Sequence, residues 1–146
     1  MVTQSRKTSR KRPGFRRDQS GAAAVEFAFL APILIFIMMG ITGYGGYFWM
    51  SHSVQQLAND AARAAMPGLN AAERASLAQA SVLAGAGDYA QMKASKVTTK
   101  VVDANGRLTV KVSYNAADSF AFAVRGLAPM PSDQIQRQAS VQLGGY

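Results

Sequence analysis

The feature that most constrains this chain is a long stretch without Asp, Glu, Lys or Arg, from Phe27 to Asn59. Its first part, from Phe27 to Tyr44, is dense in Phe, Leu, Ile and Met. A helix needs about 20 apolar residues to cross a bilayer, and this stretch reaches that length. A cleavable signal peptide has an apolar region of only about 7 to 15 residues. We therefore expect a membrane-spanning helix rather than a removed signal sequence.

The residues before this stretch carry most of the positive charge. Residues 1–20 hold seven of the 16 basic residues and a single acidic one, Asp18. Lys and Arg beside a membrane helix hold that end of the helix in the cytoplasm. A nucleic-acid arm is the other interpretation, but Phe15 is the only aromatic residue there, and no second basic patch follows. The sequence predicts a cytoplasmic leader at residues 1–21, a C-terminal domain outside the inner membrane, and no nucleic-acid partner.

Two features of the apolar stretch bear on its position in the bilayer. Its far end carries four aromatic residues: Tyr44, Tyr47, Phe48 and Trp49. Such a cluster is typical of the aromatic belt at a membrane surface. Nearer its start, Pro32 is expected to bend the helix or to loosen one turn, because proline lacks a backbone N–H.

A glycine stripe lies in the same stretch. Gly40, Gly43 and Gly46 recur every three residues and line one side of the predicted helix. Small residues in such a row let another helix approach closely. The alternative is that glycine is simply common in membrane helices. The sequence alone leaves both interpretations open.

Helical periodicity continues beyond the apolar stretch. Apolar residues recur every three or four positions at Val54, Leu57, Ala58, Ala61, Ala62 and Ala65. Asp60 and Arg63 lie three residues apart, a spacing that allows an ion pair on a helix surface. Met66-Pro67-Gly68 is a strong helix stop. We predict one helix over residues 22–66, with a membrane part followed by a stalk that projects outward.

Beyond this stop, the sequence predicts a second helix that opens a small domain of residues 67–146. Asn70-Ala-Ala-Glu73 has the form of a capping box, in which two side chains satisfy free amides at a helix start. An Ala-rich pattern follows to about Ala84. Gly85 and Gly87 are expected to end the helix there.

Three segments of alternating polarity predict an antiparallel sheet. The first two flank Asn105-Gly106, a strong hairpin turn, and the third runs from Ile135 to Leu143. The apolar segment 120–130 leaves open a short helix or a loop over the sheet. The simplest architecture is α+β, with the apolar face of the sheet packed on the helix. Because about 80 residues form a marginal core, we expect the domain to lean on the stalk helix or on a partner.

Glu26 stands out at the start of the apolar helix, because a carboxylate there is costly to dehydrate without a partner. One interpretation places it at the headgroup level, near the positive end of the helix dipole. The other uses spacing. If a peptidase cuts after Gly21, Ala22 gains a free amine and Glu26 becomes the fifth residue, one turn along the helix. Its carboxylate would then neutralise that amine or the amine of a neighbouring subunit. The attraction between the two charges is strong where the dielectric constant is low.

Three motifs occur together: Gly21-Ala-Ala-Ala-Val-Glu-Phe27 after a basic leader, then Pro32, then Leu57-Ala-Asn-Asp-Ala-Ala-Arg-Ala64. Together they resemble the TadE-like pseudopilins of the tight-adherence (Flp) pilus system, over about residues 16–66. The resemblance implies cleavage between Gly21 and Ala22 by a prepilin peptidase in the bacterial inner membrane. It also implies a part in pilus assembly, with other pilins or pseudopilins and the assembly platform as partners.

Residues for catalysis are not visible in the sequence. The chain has no Cys and a single His, His52, which excludes thiol catalysis and most zinc sites. The acidic residues after Gly21 are scattered singly. We therefore expect an assembly component without enzymatic activity or cofactor. The alternatives are an uncleaved, single-pass periplasmic adaptor of a secretion or envelope complex, and an enzyme whose site forms only in the fold.

Overall fold

The computed structural model describes residues 19–89 and 92–144, so most of the predicted basic leader lies outside the described residues. The elements are α1 (Gln19–Ala65), α2 (Ala71–Asp88), a 3-10 turn (Ala94–Lys96), β1 (Val97–Ala104), β2 (Arg107–Asn115), a 3-10 helix (Phe120–Val124) and β3 (Gln134–Gln142). The predicted fold class, a long apolar helix followed by a short helix and a three-stranded antiparallel sheet, is confirmed. Internal contacts define two compact units with a boundary after Ile35. The predicted division at residues 21 and 66 stays a prediction.

Both helix boundaries around residues 65–71 follow the predicted signals. α1 ends at Ala65, and the amide of Gly68 donates to the Ala65 carbonyl at 3.2 Å. Asn70 caps α2, because its side-chain oxygen accepts from the Glu73 amide at 2.9 Å. The Glu73 carboxylate accepts from the Leu69 amide at 2.9 Å. The capping box is therefore present, but the Glu73 side chain bonds the amide of Leu69, the residue before the cap, and not the amide of Asn70 itself.

The end of α2 differs from the prediction. Gly85 and Gly87 do not stop the helix, which continues to Asp88. A Cβ added at Gly85 would lie 2.7 Å from Cδ2 of Leu57, a residue of α1. Gly85 therefore permits the close approach of two helices, and packing outweighs its low intrinsic helix propensity.

The sheet has the order β1-β2-β3, and both pairs are antiparallel. Asn105 and Gly106 join β1 to β2 with φ values of 54° and 68°, the left-handed conformation that a tight two-residue hairpin requires. Val110, at the centre of β2, pairs with Val101 on one side and with Ala139 on the other. β3 begins and ends one residue earlier than predicted.

The core lies where one face of the sheet meets α2 and the C-terminal part of α1. The part of α1 that enters it contributes nine buried residues: Met50, Ser51, Ser53, Val54, Leu57, Ala58, Ala61, Ala62 and Ala65. The sheet contributes Leu108, Val110, Val112, Tyr114 and Ile135. The domain thus packs on the helix, which is one of the two predicted possibilities. This part of α1, the predicted stalk, is a core helix of the domain, and its projection beyond a membrane stays a prediction.

Candidate functional site

The predicted processing residues lie in the first turns of α1. Because α1 begins at Gln19, the Gly21–Ala22 peptide bond lies in its first turn, where backbone amides have no helical acceptor. A Cβ added at Gly21 would meet nothing within 4 Å, and Ala22 is exposed. The bond is therefore unshielded by the described residues and is held by few hydrogen bonds.

Glu26 and Phe27 follow one turn later. Glu26 lies four residues after Ala22 in continuous helix, so both residues share one face of α1. Glu26 is exposed, and its carboxylate has no hydrogen bond or ion pair with another described residue. Phe27 is exposed as well. The carboxylate is available for an amine at residue 22, although that pairing stays a prediction.

The apolar part of α1 is exposed along its whole length. Residues 21–42 include no buried residue, and Gly43 is the first buried position of the helix. At about 1.5 Å per residue this stretch measures about 33 Å, close to the roughly 30 Å of a bilayer core. The helix is uninterrupted through Pro32. Length and composition therefore suit a membrane span.

The glycine stripe contacts another part of the same domain. A Cβ added at Gly43 would lie 2.5 Å from Cγ2 of Val124 and 3.2 Å from the Ala121 carbonyl oxygen. A Cβ added at Gly46 would lie 2.9 Å from Cβ of Ala121. What packs on these two glycines is thus the 3-10 helix Phe120–Val124. A Cβ added at Gly40 would have nothing within 4 Å, so packing of another helix there stays a prediction.

The segment 120–130 is fixed to α1 by polar and aromatic contacts as well. The Tyr44 hydroxyl donates to the Pro129 carbonyl. The Tyr47 and Phe122 rings meet edge to face, with centroids 6.2 Å apart. The sequence left a helix or a loop open for this segment, and the structure shows a short 3-10 helix followed by turns. It covers α1 at the level of residues 43–47.

Asp60 and Arg63, the predicted stalk pair, are both exposed on α1. They form no ion pair with each other; those among the described residues join Arg74 to Asp103, Lys96 to Asp118 and Arg125 to Asp133. Arg63 lies in the last turn of α1, where a positive charge favours the helix dipole. The neighbours of both residues, Ala61 and Ala62, belong to the core.

The described residues show no group of three or more His, Cys, Asp or Glu side chains able to hold a metal ion. His52 is exposed on α1. Among the described residues, the pKa that clearly departs from its ordinary value belongs to a surface carboxyl, that of Asp118. The hydrogen bond and the charge of Lys96 lower the pKa of Asp118 below 3.8.

Sequence reasoning missed the contacts that bind the sheet to the helices. Arg74 of α2 pairs with Asp103 of β1 at 2.6 Å. Arg137 of β3 points to the core side and donates to the hydroxyl of the buried Ser51 on α1. The only signal in the sequence for this contact was a charged residue, Arg137, at a position of β3 whose side chain faces the core. Its partner lies 86 residues away, so spacing could not find it.

These features define a class of protein: an N-terminal apolar helix of membrane-spanning length, whose C-terminal part forms the core of a small α+β domain. Residues 21–63 match the family model described as TadE-like protein. The resemblance seen in the sequence is thereby confirmed for this segment. The match ends before α2 and the sheet. The comparisons with curated proteins and with solved structures gave no match.

Proposed function

We propose that this protein is a pseudopilin or minor pilin, cleaved after Gly21 by a prepilin peptidase, that acts in the assembly of a tight-adherence pilus. The observation that carries the proposal is the TadE-like match, which begins at residue 21. The exposed Gly21 and Ala22 support it, as does the exposed Glu26, whose carboxylate is unpaired among the described residues. The proposed role is structural, without enzymatic activity or cofactor.

The proposed mechanism follows from the spacing along α1. Cleavage leaves a positive amine at Ala22, at the end of an apolar helix. Glu26, one turn along, supplies the opposite charge, and the attraction between them is strong where water is excluded. In the membrane the pair lowers the cost of placing both charges near the bilayer. Between subunits, the same carboxylate would set the axial register of one helix against the amine of its neighbour.

The exposed apolar side chains of residues 21–42 give the proposed location. We infer that they span the bacterial inner membrane, with residues 1–18 in the cytoplasm and the α+β domain in the periplasm. The basic residues before Gly21 support this orientation, because Lys and Arg remain on the cytoplasmic side. The proposed partners are the peptidase, other pilins or pseudopilins, the assembly platform and the lipid bilayer.

The deciding experiment is mass spectrometry of the mature N-terminus after expression with the cognate peptidase. We expect the mature chain to begin at Ala22. Gly21→Val should block cleavage, because a branched side chain then lies at the bond. Gly40→Val is the matched control, since a Cβ at this position also meets nothing within 4 Å, and it should be cleaved normally. A chain that retains Met1 or Val2 beside an active peptidase contradicts the proposal and favours the uncleaved adaptor.

The role of Glu26 is tested separately from cleavage. Glu26→Gln keeps the shape of the side chain and removes its charge, so we expect normal processing but a large loss from sheared pilus fractions. Asp60→Asn is the matched control, because it removes an exposed carboxylate that forms no ion pair in the structure. Equal incorporation of both variants would exclude the pairing of Glu26 with the new amine.

A further inference from the structure

Apolar side chains remain exposed where the segment 120–130 meets α1. Phe120 is 72% exposed and Leu127 is 57% exposed, while Ala121 and Val124 between them are buried. On α1, Phe48 next to the contact is also exposed. Exposed apolar residues gathered in one place mark a surface for a partner or a membrane.

The position of this patch along α1 indicates whether it contacts a membrane or a protein partner. The exposed apolar part of α1 ends at Thr42, and its residues 21–42 suffice to cross the hydrocarbon core, so the helix leaves the core close to Gly43. The segment 120–130 contacts α1 at residues 43–47. It therefore lies where the helix leaves the hydrocarbon, the level at which aromatic residues accumulate in membrane proteins.

The backbone of the segment suits a partly dehydrated site. The amides of Phe122, Arg125, Leu127 and Ala128 all donate to carbonyls within residues 119–124. Pro129 and Pro131 have no amide to satisfy. Amides that are paired in this way lose little when the segment enters the edge of a bilayer, where unsatisfied groups are costly.

The charge of the segment is compatible with the same position. Arg125 is the only charged residue between Phe120 and Met130. Its guanidinium lies 2.8 Å from the Asp133 carboxylate and 4.9 Å from the centroid of the Phe122 ring. An arginine held in this way keeps its stem on apolar surface and its charge among polar groups, as at a headgroup layer.

We propose that the segment 120–130 is a second membrane contact, whose Phe120 and Leu127 side chains enter the interfacial layer of the bilayer that α1 spans. Because the segment is packed on Gly43 and Gly46, this contact sets the depth at which α1 leaves the membrane. The inference rests on the membrane anchoring in the proposed function and does not depend on cleavage after Gly21.

The test uses the full chain, which has no native cysteine and therefore accepts single labels. Leu127→Cys and Phe120→Cys carry an environment-sensitive fluorophore in vesicles of phosphatidylethanolamine and phosphatidylglycerol. A nitroxide lipid with its spin label near the headgroups quenches a fluorophore at the interface. A second lipid, labelled deep in its acyl chain, is the quencher used for Leu34, which lies near the middle of the proposed span. Leu69→Cys is the control outside the bilayer, because Leu69 follows the C-terminal end of α1 and is 87% exposed. Leu34→Cys, in the exposed apolar part, is the control for anchoring.

We expect quenching at Leu127 and Phe120 to be several-fold stronger than at Leu69. Strong quenching at Leu34 with only the Leu69 level at Leu127 and Phe120 would overturn the inference while leaving the anchoring intact. The patch would then face a protein partner. Absence of quenching at Leu34 would overturn the anchoring and this inference together. Mass spectrometry of the N-terminus reports on processing independently of all three outcomes.

Discussion

Residues 21–42 of α1 expose large apolar side chains, whereas residues 50–65 of the same helix bury mainly small ones. Phe, Ile, Leu and Met dominate the first part, and alanine dominates the buried face of the second. Hydrophobic character alone does not separate the two parts. Side-chain size separates them, because alanine lets α2 and the sheet approach the helix closely, while the larger side chains are exposed and not covered by another described element.

The comparison teaches where a membrane span ends in such a helix. Nothing in the charge pattern marks a boundary at Gly43, since the next charged residue is Asp60. The boundary follows from packing, because Gly43 is the first residue of α1 covered by the domain. A charge-free stretch longer than a bilayer is therefore divided between an exposed apolar part and a part buried in the protein core.

The largest expected effect tests the buried part. Leu57→Ala removes a core side chain that is 2% exposed, and we expect a loss of about 2–5 kcal/mol of unfolding free energy. Leu34→Ala is the matched control in the exposed part and should leave the stability of the domain unchanged. Denaturant titration of both variants in detergent checks the comparison, and equal losses would contradict it.

A charge in the exposed part should affect membrane insertion, whereas the core substitution affects the stability of the domain. Leu34→Arg places a cation near the middle of the predicted span, at a cost of about 2.5–3.5 kcal/mol on insertion scales. We expect the variant to be lost from the alkali-resistant membrane fraction. Leu83→Arg, at a similarly exposed leucine of α2, should remain there. Retention of the Leu34 variant would argue against a membrane span.

The boundary itself is tested by two adjacent glycines. Gly46→Ala places a Cβ 2.9 Å from the Ala121 Cβ, so the segment 120–130 must shift, at about 1–3 kcal/mol. A Cβ at Gly45 meets nothing within 4 Å, and Gly45→Ala should be neutral or slightly stabilising. Thermal unfolding in detergent distinguishes them, and identical curves would mean that the contact contributes nothing.

The smallest expected effect concerns an ion pair outside α1. Lys96 lowers the pKa of Asp118, so its contribution to stability is present above the ordinary carboxyl pKa and is lost as the pH falls through the lowered value. Lys96→Met should unfold at a slightly lower temperature than the wild type at pH 7. Once the pH has fallen through the lowered pKa of Asp118, the two should converge. A difference that persists at low pH would show that packing, and not charge, is responsible.

Local signals predicted the elements of the domain well. Asn70 and Glu73 cap α2, and Asn105-Gly106 makes the hairpin, because these motifs satisfy their own nearby backbone groups. Gly85 was misjudged because its role depends on Leu57, far away in sequence. The TadE-like match over residues 21–63 was predictable from motifs within that segment. The cleavage and the role of Glu26 stay predictions.

By itself, the sequence determined the apolar helix, its proline and glycines, the helix caps, and the alternation of the three strands. These follow from periodicity, charge and backbone conformation within a few residues. Only the tertiary structure decided that the segment 120–130 packs on Gly43 and Gly46. It also decided that residues 50–65 of α1, in the predicted stalk, form a core helix. The physical reason is that the stalk pattern and a core helix share one apolar periodicity. Burial is decided by the segment that packs on each face of the helix. One such segment lies 28 residues away, as for Leu57 and Gly85, and another lies 75 residues away, as for Gly46 and Ala121.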